Sequence, residues 1–158
     1  MTHFSNKPSR SPSRKLKGII AALTCSLFFS CEKPPLYDQY QAINNITWEK
    51  DKAYYFTFEV KDISVPYDLT LKVRNNNLYP YQNLWIFCNE EWPIGPLRRD
   101  TIECILADEF GKWYGHGISL YQSSFPIHSQ YNFSFRQGMR DDALKGIQEI
   151  GFSIRPSK

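Results

Sequence analysis

The chain lacks an apolar run long enough to cross a bilayer as a helix, which takes about 20 residues. It also has no GxGxxG, no P-loop, no HExxH and no CxxC, so the common nucleotide, zinc-protease and redox signatures are excluded as readings. Histidine is scarce. Beyond residue 31 only His116 and His128 occur, and neither stands at metal-ligand spacing from cysteines or carboxylates. Both read as surface or hydrogen-bonded histidines, so no cofactor, metal site or catalytic set is expected. No basic run beyond residue 31 exceeds Arg98-Arg99, which removes the electrostatic footprint of a nucleic-acid binder. Internal repeats and low-complexity tracts are missing beyond that point too.

What is present begins with an address label. Residues 1–17 carry Lys7, Arg10, Arg14, Lys15 and Lys17 and no acidic residue, and Gly18 to Ser30 (GIIAALTCSLFFS) carries no charge. A basic head, a short apolar middle and a small residue before the cut describe a secretory signal peptide. Ser30 stands immediately before Cys31, as in a bacterial lipoprotein signal, where the cysteine thiol is lipidated and becomes the new N-terminus. Phe28 occupies the place usually held by leucine, and Cys25, inside the apolar run, is the poorer candidate. The plainer alternative is an ordinary secretory signal or an uncleaved anchor. Removing residues 1–30 takes away 5 of 19 basic residues and leaves 14 against 16 acidic ones, a formal charge of −2. The basic character of the whole chain therefore belongs to the signal segment.

The expected organisation is a signal peptide over residues 1–30, a lipid-anchored tether over 31–45 and one domain over 46–158. Pro34-Pro35 favours an extended tether. From residue 53 the pattern has period 2. Tyr54, Phe56, Phe58 and Val60 share one face; Leu69, Leu71 and Val73 repeat the alternation, and Asn83 to Asn89 is apolar on both faces and reads as a central strand. Further strands are expected over Thr101–Ala107, 112–121 (with Gly115, His116 and Gly117 marking a bulge or a close backbone approach), Gln130–Arg136 and Gln148–Arg155. Residues 74–82 read as a loop, and one or two helical turns are expected around Met139–Leu144. Seven or eight short strands with almost no helix predict an all-β, antiparallel β-sandwich, jelly-roll-like or immunoglobulin-like.

Several ordered stretches resemble a known family. Phe58-Glu-Val-Lys-Asp62, Pro66-Tyr-Asp-Leu69, Val73-Arg-Asn-Asn-Asn77 and Tyr79-Pro-Tyr-Gln-Asn-Leu84 are followed by Ala107-Asp-Glu-Phe-Gly-Lys-Trp113, Gln137-Gly-Met-Arg140 and Ile150-Gly-Phe152. Together, and placed after a lipoprotein signal, they resemble the gliding motility lipoprotein GldH family of Bacteroidetes. The resemblance covers essentially all of the chain beyond the signal. It implies a non-enzymatic, lipid-anchored envelope protein, an accessory of the gliding motility and type IX secretion machinery that binds other envelope proteins. Glu32, Lys33, Pro34 and Pro35 lack the dense acidic run associated with surface export in these bacteria, so the anchor is placed on the periplasmic face of the outer membrane.

Cys88 and Cys104 are centred on residue 96, in the Pro93–Pro96 turn, where a hairpin would set them near-opposite and an exported protein would oxidise them. Two small buried thiols are the alternative. Asp108 and Glu109 read as turn residues, and Asp141 and Asp142 as the start of a short helix, ahead of any acid/base or calcium role. Among Trp48, Trp85, Trp92, Trp113, Tyr79 and Tyr81, the loop group Tyr79, Tyr81 and Trp92 is expected to be exposed as an interaction surface, and one of Trp85 and Phe87 is expected to face inward. A flat row of aromatics beside Asn, Asp or Arg would instead favour a carbohydrate- or peptidoglycan-binding module.

Overall fold

The computed structural model describes residues 34–115 and 118–157. The signal segment, Cys31 and His116 lie outside them. Among the described residues the strands are β1 (Tyr37–Ala42), β2 (Thr47–Glu49), β3 (Ala53–Val60), β4 (Tyr67–Asn75), β5 (Asn83–Glu91), β6 (Arg98–Ile105), β7 (Ile118–Ser123), β8 (Ser129–Gln137), β9 (Ala143–Lys145) and β10 (Ile147–Pro156). The one helical turn, Asn44–Ile46, is of the 3-10 type. No helix among them is long and apolar enough to cross a membrane.

β3, β8 and β10 form because their apolar residues recur at every second position. β3 buries Tyr54, Phe56, Phe58 and Val60, as its alternation predicts. β8 buries Tyr131, Phe133 and Phe135, and β10 buries Ile150, Phe152 and Ile154. The eight longer strands make two antiparallel sheets, ordered β1-β10-β4-β7 and β3-β8-β5-β6. Counted along the chain, these eight stand as 1-8-3-6 and 2-7-4-5, which is jelly-roll order. The choice between jelly-roll and immunoglobulin-like order, open from the sequence, is thereby settled. Between the layers the Phe152 ring centroid lies 5.0 Å from Phe133, 5.2 Å from Phe135 and 5.9 Å from Phe56. Burial of each such ring contributes about 1.5–3 kcal/mol.

Four expectations are corrected. Residues 37–42, assigned to the tether, form β1, an edge strand paired with β10 from Tyr37↔Ile154 to Ala42↔Glu149. The helical turns expected at residues 139–144 are absent. Ala143–Lys145 pairs with β2 instead, because Leu144 and its partner Trp48 are both fully buried and the Lys50 N–H donates to the Asp142 carbonyl at 2.8 Å. β4 runs two residues past Val73, because Arg74 and Asn75 find ladder partners in Glu149 and Ile147. The strand expected over residues 112–121 is displaced: β7 runs from Ile118 to Ser123, with a bulge at Leu120 where the register steps from Leu69↔Tyr121 to Thr70↔Ser119, while the expected feature at His116 and Gly117 lies outside the described residues.

Candidate functional site

The candidate surface is the outer face of the β3-β8-β5-β6 sheet and the loops at its far end. The alternation that sends Leu84, Ile86 and Cys88 inward sends Trp85, Phe87 and Asn89 outward. β5 is central, as expected, but only one of its faces is covered. Trp85 and Phe87 are two positions apart and share the open face, 38% and 37% exposed. The expectation that one of them points inward is therefore wrong by the parity of the strand itself. Register lines Tyr55, Ser134, Asn89 and Arg99 into one row across the sheet, and Ala53, Arg136, Phe87 and Thr101 into the next. Together they floor an open cleft of about 760 Å³, in which the Arg136 guanidinium lies 5.5 Å from the Phe87 ring centroid.

Two further depressions continue this surface to the loop end. One, of about 370 Å³, lies among Tyr81, Trp85, Met139 and Arg140; the other, of about 690 Å³, lies among Tyr81, Ile105, Asp108 and Tyr114. Local hydrogen bonds fix their walls. The Tyr81 hydroxyl donates to Asp141 Oδ2 at 2.9 Å, which raises its pKa above the ordinary tyrosine value. The Gly138 N–H donates to the Trp85 carbonyl at 2.7 Å. Asp108 Oδ1 accepts from the N–H groups of Phe110 and Lys112, both at 2.9 Å, so the carboxylate is a turn-former, as expected. That turn holds Phe110 in water at 87% exposure, with Tyr114 and Ile105 half-exposed behind it. These exposed apolar side chains make this the candidate surface.

The predicted interaction residues divide. Tyr81 is on the surface, 37% exposed. Tyr79 is buried, its hydroxyl donating to the Asn83 carbonyl at 2.6 Å, and burial pushes its pKa far up. Trp92 is half-buried, packed 5.9 Å from Phe125 and 5.7 Å from Tyr131, with the Arg98 guanidinium 5.1 Å from its ring. Sequence reading placed these two outward because Pro and Asn around them mark loops, yet a loop side chain can still fold back over a sheet end. It missed Phe110, Tyr114 and Ile105; the acidic turn beside Phe110 was the available signal.

The Cys88–Cys104 bridge is also corrected. The hairpin register sets Cys88 opposite Asp100 and Cys104 opposite Leu84, four residues out of step, because the turn is centred nearer residue 94 than 96. Four residues along a strand are about 13 Å, beyond disulfide reach. Both thiols are free and buried, and burial pushes each up to about 12. Asp142 meets Lys50 at 3.4 Å, and His128 is exposed. Among the described residues no three of His, Cys, Asp and Glu converge to hold a metal ion.

Fold and surface together define a jelly-roll module with an exposed aromatic face. Residues 35–154 match the family described as GldH lipoprotein. A relative from Christiangramia forsetii, named a gliding motility lipoprotein GldH homolog, is 32% identical across 87% of this chain and 94% of its own length. The gliding motility lipoprotein GldH of Flavobacterium johnsoniae is 30% identical across 85% of this chain and 93% of its own. The chain belongs to the GldH lipoprotein family. No solved structure matches it.

Proposed function

We propose that this protein is a non-enzymatic component of the gliding motility machinery, an accessory of the linked type IX secretion system. Acyl groups on Cys31 hold it to the outer membrane, facing the periplasm, and it works by binding another envelope protein. Family membership and the names of its relatives support the process. The observation that carries the binding mode is the exposed series Trp85, Ile105, Phe110 and Tyr114, apolar side chains with no core to fill. Glu103 stands opposite Trp85 in the sheet, Arg140 shares a depression with Trp85, and Asp108 and Glu109 share one with Ile105 and Tyr114, a polar rim.

The test is a photo-crosslinking amino acid at Phe110 in living cells, alongside the double variant Trp85→Ser/Phe110→Ser in a gliding bacterium lacking its own family member. A discrete adduct with one envelope protein, and loss of motility in the double variant at normal abundance, are expected. No adduct together with full motility would sink the reading.

A second reading, carbohydrate binding, draws on the cleft over the sheet. Tyr55 and Phe87 there lie beside Asn89, Arg99 and Arg136, the composition that stacks and hydrogen-bonds a sugar ring. Titration with peptidoglycan fragments and cell-surface polysaccharide separates the two readings, because Phe87→Ala would abolish sugar binding and leave the Phe110 adduct intact.

A further inference from the structure

Five residue steps separate Cys31 from Leu36, whose N–H already donates to the Ile154 carbonyl at 2.8 Å. Five steps reach at most about 18 Å when fully extended. A lipid on Cys31 therefore tethers the domain by one particular end, the end where β1 begins. This step rests on the lipidation reading above.

That end can be traced by contacts. The Ser157 N–H donates to the Pro66 carbonyl at 2.9 Å, which brings the residue after β10 to the loop of residues 61–66. Tyr67, next in the chain, stands opposite Pro156 in the sheet and 5.7 Å from the Phe125 ring. Phe125 in turn packs against Trp92, the base of the β5–β6 turn. The turn projecting beyond Trp92 reads Pro-Ile-Gly-Pro-Leu, with Ile94 66% and Leu97 44% exposed, and Ile63 on the neighbouring loop is 39% exposed. No charged residue lies within it; Glu91 precedes Trp92, and Arg98, Arg99 and Asp100 follow. None of these aliphatic tips contributes to the core, while Trp92 beneath them is held by ring contacts and by its N–H to Glu90 at 3.1 Å.

We infer that the β5–β6 turn is a membrane-contacting foot: Ile94 and Leu97 enter the lipid interface, and the half-exposed Arg98 at the base of the turn lies at headgroup level. The occupant is the bilayer that carries the lipid anchor. Short apolar tips suit that boundary, and a second contact there fixes the orientation that an extended tether leaves open. The domain then stands on this end, and the Trp85–Phe110 surface points away from the membrane.

The test uses the lipidated protein reconstituted into vesicles of phosphatidylethanolamine and phosphatidylglycerol. An environment-sensitive fluorophore is placed at Ile94→Cys or, as the far-end control, at Phe110→Cys. Cys88 and Cys104 are buried and stay unlabelled. The Ile94 label is expected to shift to the blue, lose iodide quenching and be quenched by doxyl-lipids, while the Phe110 label does none of these. Iodide protection without doxyl quenching would assign the turn to a protein, a second copy included, and overturn the inference. So would an Ile94 label open to iodide on protein that still floats with the vesicles; that outcome leaves the lipidation reading standing. A Cys31 peptide whose mass carries no acyl group takes both down.

Discussion

Gly146 lies directly against the backbone of Tyr79: a Cβ built on it would stand 2.2 Å from the Tyr79 nitrogen. The contact joins the β9–β10 turn to the loop carrying Tyr81. It is reinforced by the Asn76 N–H donating to the Gly146 carbonyl and the Gly146 N–H donating to the Ile46 carbonyl, both at 2.9 Å. With φ at +90°, only glycine sits there without strain. Gly146→Ala is expected to lose roughly 1–3 kcal/mol from the backbone region alone, with the steric clash adding to it. Urea denaturation measures this, and an unchanged midpoint would contradict the packing described.

Glu90 is buried on the inward face of β5, where its carboxylate accepts from the Tyr121 hydroxyl of the opposite sheet, from Trp92 Nε1 at 3.1 Å and from Arg98 at 3.4 Å. The Tyr121 pKa is driven up by burial and by this bond. Glu90→Ala strands the tyrosine and tryptophan donors and should cost about 2–4 kcal/mol in thermal or urea unfolding. Glu90→Gln, which still accepts one bond, should cost less. Equal losses in the two variants would mean that the side chain acts through volume rather than hydrogen bonding.

The two thiols set an alkaline limit. Folding holds Cys88 and Cys104 neutral up to about 12, against 9.0 for an unburied thiol. Above about pH 9 the unfolded chain has released protons that the folded chain still keeps. Stability is therefore level below pH 9 and falls as pH rises toward 12, by roughly 1.4 kcal/mol per pH unit for each cysteine. Cys88→Ala should remove one proton's worth of that slope between pH 9 and 11. The native protein should also leave both thiols unmodified by iodoacetamide at pH 8 and expose both in urea.

Metabolic labelling with a fatty-acid analogue addresses the anchor. Label on the wild type and none on Cys31→Ala is the expected pattern. An unlabelled wild type recovered in the soluble fraction would remove the lipoprotein reading and bring sugar binding forward.

Legibility followed the strength of the two-residue period. β3, β8 and β10 were readable because Tyr54 to Val60, Tyr131 to Phe135 and Ile150 to Ile154 place a large apolar side chain at every second position without interruption. β1 was not, because its burial pattern hardly alternates: as an edge strand it gains its order from Ile154, Phe152 and Ile150 across the ladder rather than from its own residues. β9 is three residues long, too short to carry a period, and only the pairing of Leu144 with Trp48 fixes it. The site was legible in kind, as exposed aromatics on a β-sandwich. Its members depended on the hairpin register and on which loops fold back, and no local pattern encodes either.

Among the described residues β1 is the first strand to be synthesised and β10 the last, yet they are neighbours in one sheet. Until residue 156 is available, β1 has no partner and the sheet it borders cannot close. An exported chain of this topology crosses its translocation channel before its fold can exist, and acquires that fold only on the far side. The wide sequence separation makes that closing step slow compared with local turns. During that interval the Phe- and Tyr-rich faces of β3 and β8 are in water, so the period between emergence and closure is when this protein most needs a chaperone.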